Sequence, residues 1–344
     1  MAEISISILG LRRLGASLGL TLQRYNESGG EHRFSITGYE NSQSSAKAAQ
    51  KLKAVHNLKS SLRDAVKGQD IVVIALPYSK IEVVYHQIAD ALRPGAVVFD
   101  FSPLKGASLK HAAAHLTDET HMVCMTPVVN PKYLFNWLDE TEQASADLFD
   151  EGVMTIMPGA SAVREVVTLA TDFTRLLGSV PHFADPLEHD TLAGATEALP
   201  ALLGAIYFYS MTRADGWPDM QRLTNPTFGM VSRALFDMTA EDMSSLWQDS
   251  RDDLLRFLDD YMQDLQRFRA LIADREEDAL LAAMEQTSKD FETWINRRHK
   301  NRWEIDERMS STEGPTLSGA MGNMFGHFIT GRFGRKSDDD KNQR

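Results

Sequence analysis

Ile4-Ser5-Ile6-Ser7-Ile8-Leu9-Gly10-Leu11-Arg12-Arg13-Leu14-Gly15-Ala16-Ser17-Leu18 is the stretch on which the fold turns. Isoleucines at 4, 6 and 8 alternate with small polar residues, the period of a short buried strand. Gly10 and Gly15 bracket a turn, and leucines at helix-compatible spacing follow through residues 16–25. Strand, glycine turn and helix, in that order, are the context a dinucleotide-binding loop requires. The first glycine permits the tight turn, the middle one lets the backbone approach the pyrophosphate, and the last lets helix and strand pack closely. The helix N-terminus then turns free N–H groups and a positive dipole end toward the phosphates. Here Arg12 stands where the middle glycine belongs. Its side chain either obstructs the pyrophosphate or swings outward to contact phosphate. The competing reading is a turn of this shape that no longer holds a nucleotide well.

Working outward, Phe34-Ser35-Ile36-Thr37-Gly38-Tyr39 reads as a second strand, and Glu40 ends it. An acid at that place holds a ribose 2′-hydroxyl and repels a 2′-phosphate, which favours NAD over NADP. Arg12 and Arg13 could offset that repulsion, and a plain surface cap is the other reading of Glu40. Asp70-Ile71-Val72-Val73-Ile74-Ala75-Leu76-Pro77 is a short, β-branched apolar run, as expected of a strand buried on both faces. Further strands are expected at 96–100, 122–125, 152–157 and 180–183, with helices over 80–92, 107–116 and 161–177. This alternation predicts a Rossmann-type parallel sheet with helices on both faces, spanning residues 1–184. Its ligand belongs beyond the carboxyl ends of the strands, where Pro77, residues 100–105 and Thr126-Pro127 fall. The candidate cofactor contacts are therefore Gly10, Arg12, Arg13, Leu14, Gly15, Glu40 and Pro77.

From about residue 188 strand signals stop and long helical periods take over. An all-α domain is expected over 185–308, with Pro200 kinking or breaking its first helix. Leu254, Leu255, Leu258, Tyr261, Met262, Leu265 and Phe268 form an amphipathic stripe within 240–273. It reads as core or as the interface of a homodimer. Residues 309–344 are glycine-rich and then charged, and read as a partly disordered tail.

Composition bounds the function. The chain has 344 residues and a net charge of −12, so nucleic acid is a poor partner unless its basic residues are concentrated locally. A single cysteine, Cys124, excludes an intramolecular disulfide framework and a cysteine-cluster metal site. No metal-ligand spacing such as His-Glu-x-x-His occurs. No uninterrupted apolar run approaches the roughly 18 residues of a membrane span, so a membrane partner is not expected. A soluble cytoplasmic protein is the expectation.

Taken in order, the pieces resemble the prephenate/arogenate dehydrogenase family, the NAD(P)-dependent enzymes of tyrosine synthesis, over about residues 4–300. Ile8-Leu9-Gly10 through Gly15-Ala16-Ser17-Leu18 is similar to the family's glycine loop and following helix. Residues 70–77 resemble its buried strand ending in proline. Asp100-Phe101-Ser102-Pro103-Leu104-Lys105-Gly106 is similar to its aspartate-x-glycine-serine-x-lysine turn. Glu188-His189-Asp190 and Leu199-Pro200 resemble its helical-domain opening, and residues 228–235, with Arg233, a segment supplying a substrate-binding arginine.

The resemblance implies an oxidative decarboxylation: hydride leaves the carbinol carbon for the nicotinamide, carbon dioxide departs and the ring becomes aromatic. It also implies a histidine before a proline at a strand end, polarising the substrate hydroxyl. That position is Thr126 here, before Pro127. The family serine of the lysine turn falls at Pro103, and its serine-histidine-leucine-proline-histidine stretch reads Glu197-Ala198-Leu199-Pro200-Ala201. A family lysine near Arg233 falls at Gly229. The expected roles are Arg233 on the carboxylate of a small-molecule substrate, Thr126 on its hydroxyl and Lys105 orienting substrate or cofactor. Because the losses concentrate in the chemistry, two alternatives stand beside a dehydrogenase of this kind. One is an impaired dehydrogenase-fold protein that binds a nucleotide or a protein; the other is a dehydrogenase for a different small carboxylate. His121, His182 and His189 are the candidate replacement bases. His121 lies at the wrong strand end, His182 on an edge strand, and His189 reads as a cap or a structural group near a helix start.

Overall fold

The computed structural model describes residues 2–301 apart from 137, 160 and 161. Among the described residues eight strands form one sheet: β1 (Ala2–Leu9), β2 (His32–Tyr39), β3 (Asn57–Lys59), β4 (Ile71–Ile74), β5 (Val97–Asp100), β6 (His121–Val128), β7 (Val153–Pro158) and β8 (Val180–Phe183). Their order is β3-β2-β1-β4-β5-β6-β7-β8. Six helices belong to this half: α1 (Arg13–Glu27), α2 (Gln43–Lys51), α3 (Leu62–Val66), α4 (Ile81–Ile88), α5 (Lys105–His115) and α6 (Arg164–Leu176). In β4 and β5 every residue is buried, because helices cover both faces of the central strands. Isoleucines 4, 6 and 8 of β1 enter one core with Phe34, Ile36, Val73 and Phe99, while Leu9, Val72, Ile74 and Val98 enter the core on the opposite face.

The sheet departs from the all-parallel expectation at one place: β7 runs antiparallel to β6, pairing Thr126 with Thr155. A parallel return needs a crossover, usually a helix. Among the described residues, the chain between β6 and β7 carries only single turns at Pro131–Tyr133 and Thr141–Gln143. That segment instead lies along α1. Thr141 Oγ1 donates to the Leu11 carbonyl at 2.9 Å, and the Ser145 N–H donates to Ser17 Oγ at 2.9 Å.

The helical half follows β8. It comprises α7 (Pro186–Ala193), α8 (Leu199–Met211), α9 (Trp217–Met220), α10 (Pro226–Val231), α11 (Ala234–Asp237), α12 (Ala240–Asp249), α13 (Arg251–Ala273) and α14 (Glu277–Lys300). Pro200 does not break the first of these. Residues Gly194–Ala198 widen into a π turn between α7 and α8, and Pro200 sits in the first turn of α8. Proline there lacks the N–H that would bond back into the preceding turn, and π turns occur where one such bond is lost. The run Pro186–Met211 is long and apolar enough to span a bilayer by length and composition, although Glu197 lies within it. Of the stripe on α13 only Leu254 is buried; Leu255, Tyr261, Met262 and Leu265 are exposed. The expected tail, 309–344, lies outside the described residues.

The two halves are joined at the carboxyl edge of the sheet. Tyr78, just beyond β4, donates its hydroxyl to Asp249 at 2.7 Å, and the Ser79 N–H donates to Asp242 at 2.9 Å. Asp190 of α7 accepts the Lys105 and Gly106 N–H groups, both at 2.7 Å. These bonds put the start of α7 against the N-terminus of α5.

Candidate active site

The glycine loop closes as its spacing requires. Gly10 has φ +98°, and a Cβ there would lie 2.3 Å from the Ala75 carbonyl oxygen. A Cβ on Gly15 would lie 1.8 Å from the Gly10 oxygen. Both positions need glycine, one for its backbone conformation and both for the close approach of other backbone. No side chain caps the N-terminus of α1, which suits a helix end that receives an anion.

Arg12 swings outward, away from the turn. Its Nε donates to the Asp139 carbonyl at 3.0 Å and pairs with the Asp139 carboxylate at 3.1 Å. Its Nη1 donates to the Asp237 carbonyl of α11 at 3.1 Å. Burial pushes the Asp139 carboxyl up from its ordinary value, and the Arg12 guanidinium partly opposes this. Arg12 therefore ties the loop to both the 139 segment and the helical half.

Arg13 departs from the expectation that it meets cofactor phosphate. It is 2% exposed, donates to the Asn136 and Leu138 carbonyls at 3.1 and 3.3 Å, and lies over the Tyr133 ring. These carbonyls reach it because the chain after β6 folds back over α1. Glu40 is half-buried, as a loop-bracing acid would be. Its carboxylate accepts the Leu11 N–H at 2.8 Å and the Ser42 N–H at 2.9 Å. Pro77 is half-buried beyond β4, but the residues that line the cleft there are its predecessors Ala75 and Leu76.

That cleft, about 560 Å³, lies between the two halves. The sheet side is lined by Arg12, Leu14, Gly15, Ala75, Leu76 and Phe101, and the helical side includes Glu197, Pro200, Met230 and Arg233. Arg233 is about one-third exposed, and its Nε donates to Asp237 at 2.8 Å. Asp237 in turn accepts the Asp139 N–H at 3.1 Å, so the arginine is held by the same carboxylate that meets the loop segment. Glu197 opens into the cleft while protein surrounds it at longer range. Burial pushes its carboxyl up, and Lys105 and Arg233 oppose that shift.

Lys105 is placed differently from the expectation that it orients substrate or cofactor. It is fully buried, and its Nζ donates to the Ser102 carbonyl and, at 2.9 Å, to the Met125 carbonyl. Burial lowers its pKa, with Cys124, Asp100 and Asp190 opposing. Its ammonium braces the turn after β5 against the strand position before Thr126. The buried Ser102 hydroxyl makes no hydrogen bond, between two residues, Phe101 and Pro103, that line the cleft.

Thr126 is half-buried at the carboxyl end of β6 and touches a histidine that sequence reasoning set aside. Its Oγ1 lies 2.8 Å from His189 Nε2, and His189 Nδ1 lies 3.1 Å from Asp190 Oδ1. The imidazole is 12% exposed. Sequence reasoning also passed over Glu197 as a site residue. Its signal was the one charge in residues 191–211, a largely apolar helical stretch, which is costly unless compensated or used.

The open glycine loop, the uncapped end of α1, Glu40 and the unpaired Ser102 hydroxyl fit a dinucleotide. The fold and cleft define an NAD(P)-dependent dehydrogenase with a nucleotide-binding α/β half and a helical half that closes the site. Residues 20–181 match the family model described as prephenate dehydrogenase, nucleotide-binding domain. The cyclohexadienyl dehydrogenase of Zymomonas mobilis is 22% identical over 292 residues, covering 83% of this chain and 94% of that protein. The prephenate dehydrogenase of Bacillus subtilis is 21% identical over 304 residues, covering 86% and 77%. Among solved structures, an Aquifex aeolicus prephenate dehydrogenase in complex with hydroxyphenyl propionate and NAD+ superposes with a TM-score of 0.69 at 16% identity, covering 84% of this chain and 98% of that one. The chain is thus similar to prephenate dehydrogenases, in its nucleotide-binding half by the family model and over most of its length by these relatives.

Proposed function

We propose that this chain carries out the NAD(P)-dependent oxidative decarboxylation of a cyclohexadienyl carboxylate, prephenate or arogenate. The observation that carries the reading is the single cleft in which the glycine loop faces Arg233. The dinucleotide, when bound, accepts the hydride. Gly10, Leu14 and Gly15 hold its pyrophosphate against the end of α1, and Glu40 meets its adenosine ribose. A carboxylate that already braces the Leu11 and Ser42 N–H groups presents a fixed negative charge to a 2′-phosphate, which supports NAD over NADP.

Arg233 pairs with a substrate carboxylate through the part of its guanidinium that Asp237 does not occupy. Thr126 hydrogen-bonds the carbinol hydroxyl. Asp237 fixes Arg233 and accepts from the Asp139 backbone, so closing the helical half on the loop also sets the substrate's anchor. Homodimerisation belongs to the same reading and is supported by exposed apolar residues on three helices: Ile206 and Tyr209, Leu265 and Met262, Phe291 and Trp294.

The test starts with fluorescence titrations against NADH and NADPH, followed by turnover of prephenate and arogenate. Saturable binding, tighter for NADH, is expected; no binding of either at millimolar concentration overturns the reading. Arg233→Ala should raise KM about 10- to 100-fold, matching the ~1.5–3 kcal/mol of a charge-assisted hydrogen bond. An unchanged KM removes Arg233 from the substrate site.

A further inference from the structure

The family's histidine position is Thr126, and a hydroxyl alone cannot act as a base near neutrality. The structure puts an imidazole behind it. Asp190 lies where the start of α7 meets the N-terminus of α5. Its Oδ1 accepts the Lys105 N–H and its Oδ2 accepts the Gly106 N–H, each at 2.7 Å. Two backbone donors thus fix the carboxylate's position. The same Oδ1 lies 3.1 Å from His189 Nδ1. A carboxylate only accepts, so Nδ1 must carry the proton in this contact.

A neutral imidazole protonated on Nδ1 presents a lone pair at Nε2. Nε2 lies 2.8 Å from Thr126 Oγ1, so the threonine hydroxyl donates to it. The oxygen of Thr126 then keeps lone pairs with which to accept a further proton. Lys105 holds the neighbouring Met125 carbonyl at 2.9 Å and keeps this end of β6 in place.

We infer that His189, oriented by Asp190, is the proton acceptor for the reaction and works through the Thr126 hydroxyl. It takes over the role that the missing histidine would fill by direct contact. In the proposed reaction the substrate hydroxyl sits on Thr126, which makes Thr126 the catalytic residue; His189 acts through it, and Asp190 positions the His189 ring. The inference rests on the proposed oxidative decarboxylation. In that reaction the carbinol C–H bond breaks and its electron pair leaves as hydride to the nicotinamide. As charge builds on oxygen, the hydroxyl proton moves to Thr126 Oγ1 while the Thr126 proton moves to Nε2. The C–C bond to the departing carboxylate breaks, its electrons enter the ring, and carbon dioxide leaves. The proton then returns along the same path to the phenolic oxygen, so the relay ends as it began and no net proton is consumed.

Two measurements decide it. The first needs no substrate: nitrogen-15 spectra of labelled histidines in the full chain, assigned with His189→Gln. The expected result is a His189 ring protonated on Nδ1, with an Nε2 resonance that moves in Thr126→Val. A ring protonated on Nε2 alone overturns the inference. The second is kinetic. His189→Ala should lower kcat about 10²- to 10⁴-fold, the range of general acid–base catalysis, with KM little changed. Added imidazole should restore part of the rate, which also shows that the variant is folded. Thr126→Ser should stay active. Thr126→Val should lose as much as His189→Ala, and the double variant should be no slower than either. Full activity in His189→Ala, or additive losses in the double variant, overturns the relay. If the wild type turns over neither prephenate nor arogenate with either nucleotide, the proposed reaction fails, while the spectra still decide the hydrogen-bond relay.

Discussion

Single residues at this site are constrained by backbone more than by side-chain neighbours. Gly10→Ala would combine a φ of +98° with a Cβ 2.3 Å from the Ala75 oxygen, so the loop must move. Strain at such a position costs about 1–3 kcal/mol. The expected outcome is a lower melting temperature together with weaker NADH binding, read by calorimetry and by titration. Unchanged values for both would mean that the loop is not closed as described. Cys124 offers a second test. It is fully buried next to Asp100 and Lys105, and burial pushes its thiol well above the ordinary value, with Asp100 adding to the shift and Lys105 opposing it. The thiolate is the reactive form. The native protein should therefore resist a thiol-specific reagent such as dithionitrobenzoate until it is unfolded; prompt labelling of the folded chain would contradict this.

At the scale of elements, α12 shows how one cap serves two ends. Thr239 and Asp242 form a reciprocal capping box at its N-terminus, and Asp242 also accepts the Ser79 N–H from the α/β half. Burial works to raise the Asp242 carboxyl, but the Ser79 and Thr239 hydrogen bonds win and hold it below its ordinary value. Asp242→Ala should cost about 1–3 kcal/mol at neutral pH. The sign of its pH dependence follows from linkage. A carboxyl depressed in the folded state stabilises above its unfolded value, near 4, and loses that contribution as pH falls through its folded value. The stability gap between wild type and Asp242→Ala should be full at pH 7 and shrink below about pH 4. A gap that stays constant down to pH 2 would show that the loss is not electrostatic. The π turn between α7 and α8 belongs to this scale as well. It lets Pro200 enter a helix without a break, and its Glu197 lines the cleft.

The molecule as a whole leaves much apolar surface on its helical half. Leu223 is 79% and Phe236 61% exposed, and Met230 lines both the active-site cleft and a neighbouring apolar cavity of about 850 Å³. Exposed apolar patches of this extent mark association surfaces. The homodimer of the proposed function should appear in light scattering at about twice 38.4 kDa. A monomer at micromolar concentration would count against it. Because the cleft is walled by both halves, a variant that loosens them, such as Tyr78→Phe, should weaken substrate binding more than nucleotide binding. The Tyr78–Asp249 bond of 2.7 Å is remote from the glycine loop in sequence and joins the sheet to α12.

Local order determined the strand–glycine–helix opening, the alternation that built the sheet and the change to an all-helical half after β8. These are properties of neighbours in the chain: a period of two, a period of 3.6 and glycine at turns. The resemblance put Arg233 and Thr126 forward as site residues. Only the tertiary structure decided the rest, because it depends on residues far apart in sequence. The direction of β7 was set by a connection that lacks a crossover helix. Arg12 went to Asp139 and Asp237, and Arg13 to the carbonyls of Asn136 and Leu138, since the chain after β6 folds back over α1. Lys105 turned into the sheet's edge instead of the cleft because its ammonium found two carbonyl acceptors there. His189 read as structural along the chain, 63 residues from Thr126; the packing of α7 on α5 brought its ring to 2.8 Å from the threonine hydroxyl.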